Sequence, residues 1–276
     1  MKEKFTLSLI QDMSFSILQF IKKICDENDI RYYLAYGTLL GAVRHGDFIP
    51  WDDDIDIMMP REDYKKLLLI LADTPHPYYK LISSETNNDF QVPLPKVVDT
   101  RTVLIQDYDI VESVRLGIYV DIFLIDGAGD DYELAVKQYN EAFKLYRYWK
   151  KSRLKLFPSS MSKIKGLLRW LKNFPFKLIG SRYFLNRIKS HNSYYDFDTS
   201  IYIATFETGT GNAKKCIFHY NEFEKEQYLE FRGELFRVPN NYDNVLRYEY
   251  GNYMELPPVS KQVSHHSYKV EWADNN

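Results

Sequence analysis

The segment from Tyr36 to Ile57 reads YGTLLGAVRHGDFIPWDDDIDI, and it constrains the fold more than any other part of the chain. Its last four residues alternate acid and isoleucine, the period of a strand with one apolar and one polar face. Asp54 and Asp56 then project the same way. Asp52 joins them if the strand begins early, and Asp53 points away. Like charges held on one face repel and cost stability unless a cation lies between them. Carboxylate oxygens are hard ligands, suited to Mg²⁺ or Mn²⁺ carrying substrate phosphates. Upstream, Tyr32 to Tyr36 reads as a short strand closed by Gly37, with Thr38 to Arg44 opening a helix. Backbone N–H groups at such a place favour a phosphate. The acidic run alone also fits a solvated loop.

Elsewhere the chain mixes elements without strict alternation. A helix is expected over residues 6–28, where Phe5, Leu9, Met13, Ile17, Phe20, Ile21 and Ile24 form one stripe. Further helices are expected over Glu62 to Ala72, Asp131 to Lys151 and Tyr242 to Tyr248. Strands are expected over Asp54 to Met59, Leu81 to Ser84, Pro95 to Val98, Thr102 to Ile105, Gly117 to Leu124, Ile201 to Ala204 and Glu234 to Val238, with Pro60 as a breaker. This pattern predicts an α/β (α+β) class, a mixed sheet flanked by helices. With 276 residues, 45% hydrophobic and 27% charged, the chain has enough apolar material for a sizeable core, and wholesale disorder is excluded. Cys25 and Cys216 form neither a disulfide framework nor a metal-ligand spacing. No segment reads as a secretory signal or a transmembrane helix, so the expected location is cytoplasmic.

Net charge is −2, but it is unevenly spread. Residues 142–195 hold 14 of the 36 Lys and Arg and no acid, which leaves 22 basic against 38 acidic residues on the rest. Within that stretch Met161, Ile164, Leu168 and Leu171 recur at helical spacing. Lys165, Arg169 and Lys172 fall on another face, and Pro175 is expected to stop the helix. Two readings stay open: a helical cap with a solvated outer face, or a basic amphipathic helix on an anionic membrane surface. No DNA- or RNA-binding motif accompanies the charge, so no nucleic-acid partner is expected.

A glycine-hydroxyl turn followed by Asp-Ile-Asp-Ile resembles the arrangement of the nucleotidyltransferase superfamily, which also carries a third carboxylate on a neighbouring strand. Asp121, in YVDIFLID, is a lone acid flanked by apolar residues and has that setting. The segment YYLAYGTLLGAVRHGDFIPWDDDIDIMMPREDYKKL resembles the opening signature of the LicD family. GIYVDIFLIDG resembles that family's middle motif and LFRVPNNYDNVLRYEYGNYMELPP its closing one. Together they span residues from about 30 to 260, implying one LicD-type catalytic domain over 1–276, with 142–195 as a basic helical insertion.

The resemblance implies a nucleotidyltransferase-like fold, a divalent metal (Mg²⁺ or Mn²⁺) and transfer of phosphocholine from CDP-choline to a sugar hydroxyl of a teichoic acid, capsule or other surface glycan precursor, releasing CMP. Asp54, Asp56 and Asp121 match the metal-binding acids, with Asp121 as general base, and Asp52 lies in the same motif. Gly37 and Thr38 match the phosphate-facing turn, and Arg44 and His45 follow it. Lys96 and Arg101 are expected to offset phosphate charge. In the tail, Lys261, His265 and His266 are candidate phosphate-site residues on a loop shaped by Gly251, Pro257 and Pro258. Trp51 and Tyr253 are candidates for a choline cage, since a quaternary ammonium needs aromatic faces. A lipid-linked glycan acceptor would bring the protein to the inner face of the cell membrane. Alternatives left open are another CDP-alcohol (phosphoribitol or phosphoglycerol), a non-catalytic glycan-binding or scaffold protein, and a glycosyltransferase of another fold.

Overall fold

The computed structural model describes residues 5–105, 114–264 and 268–273; His265 and His266 lie outside the described residues. Helix α1 (Leu7–Glu27) starts at Thr6, whose hydroxyl accepts from the Leu9 N–H at 3.2 Å. It buries Met13, Ile17, Leu18, Ile21 and Cys25 at three- and four-residue spacing. Next come β1 (Tyr33–Leu34), α2 (Tyr36–His45), β2 (Ile55–Pro60) and α3 (Arg61–Asp73). They are followed by β3 (Tyr79–Ile82), β4 (Lys96–Asp99), β5 (Thr102–Ile105) and the long β6 (Tyr119–Gly129). Four helices then run in succession: α4 (Tyr132–Ser152), α5 (Lys163–Lys172), α6 (Phe174–Ile179) and α7 (Ser181–Asn192). The remaining elements are β7 (Tyr202–Ala204), β8 (Ile217–His219), β9 (Gln227–Phe231), β10 (Glu234–Val238), α8 (Tyr242–Tyr250) and β11 (Lys269–Trp272).

The main sheet is mixed, in the order β1-β2-β6-β4-β3. β2 runs parallel to β6, while β1 and β4 are antiparallel to their neighbours. The far half of β6 pairs with β7, and β7 with β8. Central β6 is covered on both faces, which is why its second half reads as nearly continuous apolar and small residues. Ile55, Ile57, Val97, Val120 and Ile122 are fully buried in the core on one face. The mixed α/β class expected from the pattern is the class observed.

Several boundaries differ from expectation for local reasons. β2 begins at Ile55 rather than Asp54, because residues 52–54 belong to the turn that enters it. Pro60 ends the strand within its ladder, opposite Ile125, and leads directly into α3. The break after α5 falls at Asn173; Pro175 sits in the opening turn of α6, where a missing N–H costs nothing. β8, β9 and β11 are short or half-polar, and no apolar run marks them.

Helices α4, α6 and α7 share a small core of Trp149, Phe184, Leu185 and Ile188, with Phe176 against it. This unit is tied to the loop between β3 and β4. The Trp149 Nε1–H and the Arg153 Nη1 both donate to the Gln91 carbonyl, at 2.8 and 3.1 Å. Lys189 pairs with Glu85 at 2.6 Å.

Glu207 is buried nearby and accepts from Asn192 Nδ2 at 3.3 Å. Desolvation is the main cause that pushes its carboxyl up to about 8; Asp126 adds to it, and Arg61 opposes it. A folded-state pKa above the unfolded value means stability fully present below the unfolded pKa and lost as pH rises through about 8. Glu207→Gln is therefore expected to flatten the decline of stability between pH ~5 and ~8, by on the order of 2 kcal/mol. Urea midpoints across that range check it; parallel curves for the two proteins would refute it.

Candidate active site

Three strands place three charged side chains side by side. Asp56 on β2 is directly opposite Asp121 on β6, and Asp121 is directly opposite Lys96 on β4. All three project from one face of the sheet. Lys96 Nζ donates to Asp121 Oδ1, and its ammonium also lies 3.7 Å from the centre of the Tyr119 ring. Lys96 and Asp121 are buried and Asp56 is partly buried. The Asp56 carboxyl is pushed well above the usual carboxylate range, first by desolvation and then by the charges of Asp54, Asp121 and Asp52, with Lys96 opposing them.

The turn before β2 adds three more carboxylates. Oxygens of Asp52, Asp53 and Asp54 lie within 4.8 Å of one another, the one such metal-competent group among the described residues. Sequence spacing set Asp53 aside on the assumption of an early strand. Because the strand starts at Ile55, Asp53 turns in with its neighbours, and its Oδ1 accepts from the Ser264 hydroxyl at 3.0 Å. Hard carboxylate oxygens this close fit a divalent cation.

The start of α2 fixes this turn against the sheet. Thr38 Oγ1 accepts from the Asp56 N–H at 2.9 Å, and the Ala35 N–H donates to the Asp56 carbonyl at 3.0 Å. Thr38 is buried, so its hydroxyl acts as a register key for β2. A Cβ on Gly37 would meet Asp52 Oδ2 at 2.6 Å, so glycine is what lets that carboxylate reach the N-terminus of the helix. Tyr36 holds φ = +45°, a rare conformation for a large residue. Its ring packs on Phe123 at 4.7 Å and its hydroxyl donates to Thr205 Oγ1 at 2.9 Å.

The other expected residues fall into two sets. Arg44 and His45 lie in the last turn of α2, about 10 Å along the helix from Gly37. Arg44 donates through Nη1 to the Tyr253 carbonyl at 2.8 Å and through Nε to His45 Nε2 at 3.0 Å. That acceptor role requires an unprotonated Nε2, in keeping with a His45 pKa lowered by desolvation and by Arg44. These residues fasten the tail loop, which the Ser264–Asp53 bond brings to the acids. Arg101 lies past the far end of β4. It forms a fork with buried Asp99, with Arg101 Nη2 at 2.5 Å, and lies over Tyr78 at 4.2 Å, so it is a clip at the β3 edge and outside the rung. Lys261 is exposed on a short 3₁₀ turn. Tyr253 is buried and donates its hydroxyl to Asp243 at 2.7 Å, which occupies it in packing, and Trp51 packs against the main core.

One residue that the sequence reading passed over also lines the site. Tyr119 is two positions before Asp121 and shares its face by strand period, so that signal was available. Tyr250 ends α8, and its phenol is pushed up by desolvation and by the charges of Glu249, Asp56, Asp52 and Asp54. No local pattern marks it.

The chain is also similar in sequence to known proteins. Residues 29–167 match the family described as LicD/FKTN/FKRP, nucleotidyltransferase domain. The chain is 29% identical over 268 residues to the lipopolysaccharide cholinephosphotransferase LicD of Haemophilus influenzae, covering 96% of this chain and 97% of that one. A stretch of 45 residues is 44% identical to the ribitol 5-phosphate transferase FKRP of Homo sapiens, which covers 16% of this chain and 9% of that protein.

Charge balance at the rung gives two opposed expectations. In EDTA, Asp56→Asn relieves repulsion and raises Tm by about 2–4 °C, equivalent to about 1 kcal/mol. Lys96→Met leaves two neighbouring acids unopposed and lowers Tm by more than that. Thermal unfolding of both variants checks the pair; a fall in Tm for Asp56→Asn would show that repulsion is not the dominant strain there.

Proposed function

This chain belongs to the LicD/FKTN/FKRP nucleotidyltransferase-domain family, and on that premise we propose that it is a phosphotransferase moving phosphocholine from CDP-choline to a sugar hydroxyl. The acceptor is a teichoic acid, capsule or other cell-surface glycan precursor carried on a lipid, met at the inner face of the membrane. The observation that carries the reading is the Asp56–Asp121–Lys96 rung beside the Asp52–Asp54 turn. The cholinephosphotransferase named above, similar along nearly its whole length, supports choline as the alcohol. The ribitol 5-phosphate transferase match favours a second reading, phosphoribitol from CDP-ribitol.

In this reading Asp54, Asp56 and Asp121, with Asp52 beside them, hold the divalent ion, Mg²⁺ or Mn²⁺. When bound, that ion offsets phosphate charge and lowers the pKa of a nearby hydroxyl. Asp121 takes the proton of the acceptor hydroxyl, and Lys96 orients the Asp121 carboxylate for that role. The hydroxyl oxygen forms a bond to the phosphorus of the phosphocholine, the bond from that phosphorus to the CMP phosphate oxygen breaks, and CMP leaves. The α2 N-terminus at Gly37 steadies the Asp52 carboxylate at the edge of the donor site. The buried Thr38 hydroxyl serves the strand instead.

CMP release from CDP-choline, with crude surface-glycan precursor as acceptor, tests this. Release should need Mg²⁺ or Mn²⁺ and fall at least about 100-fold in Asp54→Ala and Asp121→Asn. Release from CDP-ribitol or CDP-glycerol in place of CDP-choline would select the second class of donor. No release from any of the three would overturn the catalytic reading.

A further inference from the structure

We propose that the outward face of α5 is the surface by which this protein rests on an anionic lipid bilayer. The inference deepens the reading above, since it rests on a lipid-borne acceptor for its purpose, but its geometry stands independently.

Helix α5 is seated the wrong way round for a soluble cap. Ile164, Leu167, Leu168 and Leu171 span an arc of about 100° at the rotation of an α-helix. All four are exposed, Ile164 at 74%, Leu168 at 62% and Leu171 at 52%. The side turned to the protein carries Gly166, where a Cβ would meet the Leu156 carbonyl at 2.8 Å. Trp170, on the same side, packs its ring on Phe174 at 5.0 Å. No α5 side chain enters any buried apolar cluster among the described residues. A helix with so sharp a segregation ordinarily lays its leucines on the core; here glycine makes the close approach and the leucines face out.

Charge names the occupant. Exposed Lys163 borders one edge of the leucine arc, and exposed Lys165 and Lys172 border the other. They belong to a stretch with 14 basic residues and no acid. Apolar side chains rimmed by lysines fit the headgroup boundary of an anionic bilayer, where the leucines reach acyl chains and the ammonium groups meet phosphates. A second copy of this chain is disfavoured, because a two-fold contact would oppose two such basic blocks. The end of α6 continues the pattern, with Leu178 and Ile179 also exposed. No described helix is long and apolar enough to cross a membrane, so the contact is a surface one.

The helical unit that neighbours α5 is tied to the loop leading to the active face. The Gln91 carbonyl receives both Trp149 and Arg153 of the helical unit, and the loop holding Gln91 leads into β4 at Lys96. A membrane under α5 would thus set the orientation of the rung toward lipid-borne substrate.

Flotation of the full chain with vesicles tests this, using phosphatidylcholine alone and phosphatidylcholine with about 30% phosphatidylglycerol. Flotation is expected only with the anionic mixture and should weaken as salt rises to roughly 0.5 M. Leu168→Glu with Leu171→Glu should reduce the floated fraction about tenfold or more without changing Tm, since both positions are exposed. Absence of flotation of the unaltered chain, or equal flotation of the double variant, overturns the proposal. So does a dimer in sedimentation that the double variant dissolves, which would assign the face to a second copy. CMP release measured on the same samples separates the readings: a chain that floats but releases no CMP from any CDP-alcohol loses the transfer reaction and keeps the membrane face.

Discussion

Everything in the active face follows from two aspartates placed on adjacent parallel strands with no room to separate. Asp56 and Asp121 are register partners, so their repulsion cannot be relaxed by rotating a loop. The surroundings offset it instead. Lys96 occupies the third position of the same rung, Tyr119 presents its ring to that ammonium, and the α2 N-terminus draws the Asp52 carboxylate away toward backbone N–H groups. The balance is incomplete, which is what a cation-binding site requires: a fully neutralised rung would have no affinity left for a metal.

Much of this was legible in the sequence. The strand period set Asp54 and Asp56 on one face with the isoleucines against the core, the resemblance added Asp121, and Asp56 and Asp121 are register partners across β2 and β6. The LicD-like segments are consistent with the family assignment that residues 29–167 support. What the chain did not disclose depended on tertiary placement. Asp53 looked outward only because strand alternation was extended over residues 52–54, which precede β2 and are not extended strand. Thr38 resembled a phosphate-binding hydroxyl, yet burial gave it a backbone partner. Arg101 and Arg44 are cations near the motif in sequence, but each is spent on a local acceptor, Asp99 or Tyr253.

The basic helical stretch shows the converse. Its charge asymmetry was plain, and its amphipathic spacing equally so, but spacing alone does not say which face is turned inward. Gly166 decides it, because the residue with no side chain is the one that approaches the Leu156 carbonyl. The leucines are left outside by sterics rather than by a lack of apolar surface to bury.

The connection between β2 and β6 has a consequence for how the chain comes into being. α3, β3, β4 and β5 all intervene before β6 can be laid beside β2 in parallel. Ser264, which bonds Asp53, follows it by 211 residues. Contacts so distant in sequence form slowly, after the helices and hairpins that close cheaply. The acids therefore meet late, when the hydrophobic layers beneath them are already able to bear the repulsion. On the ribosome, a nascent chain would carry a finished scaffold well before it carried a finished catalyst.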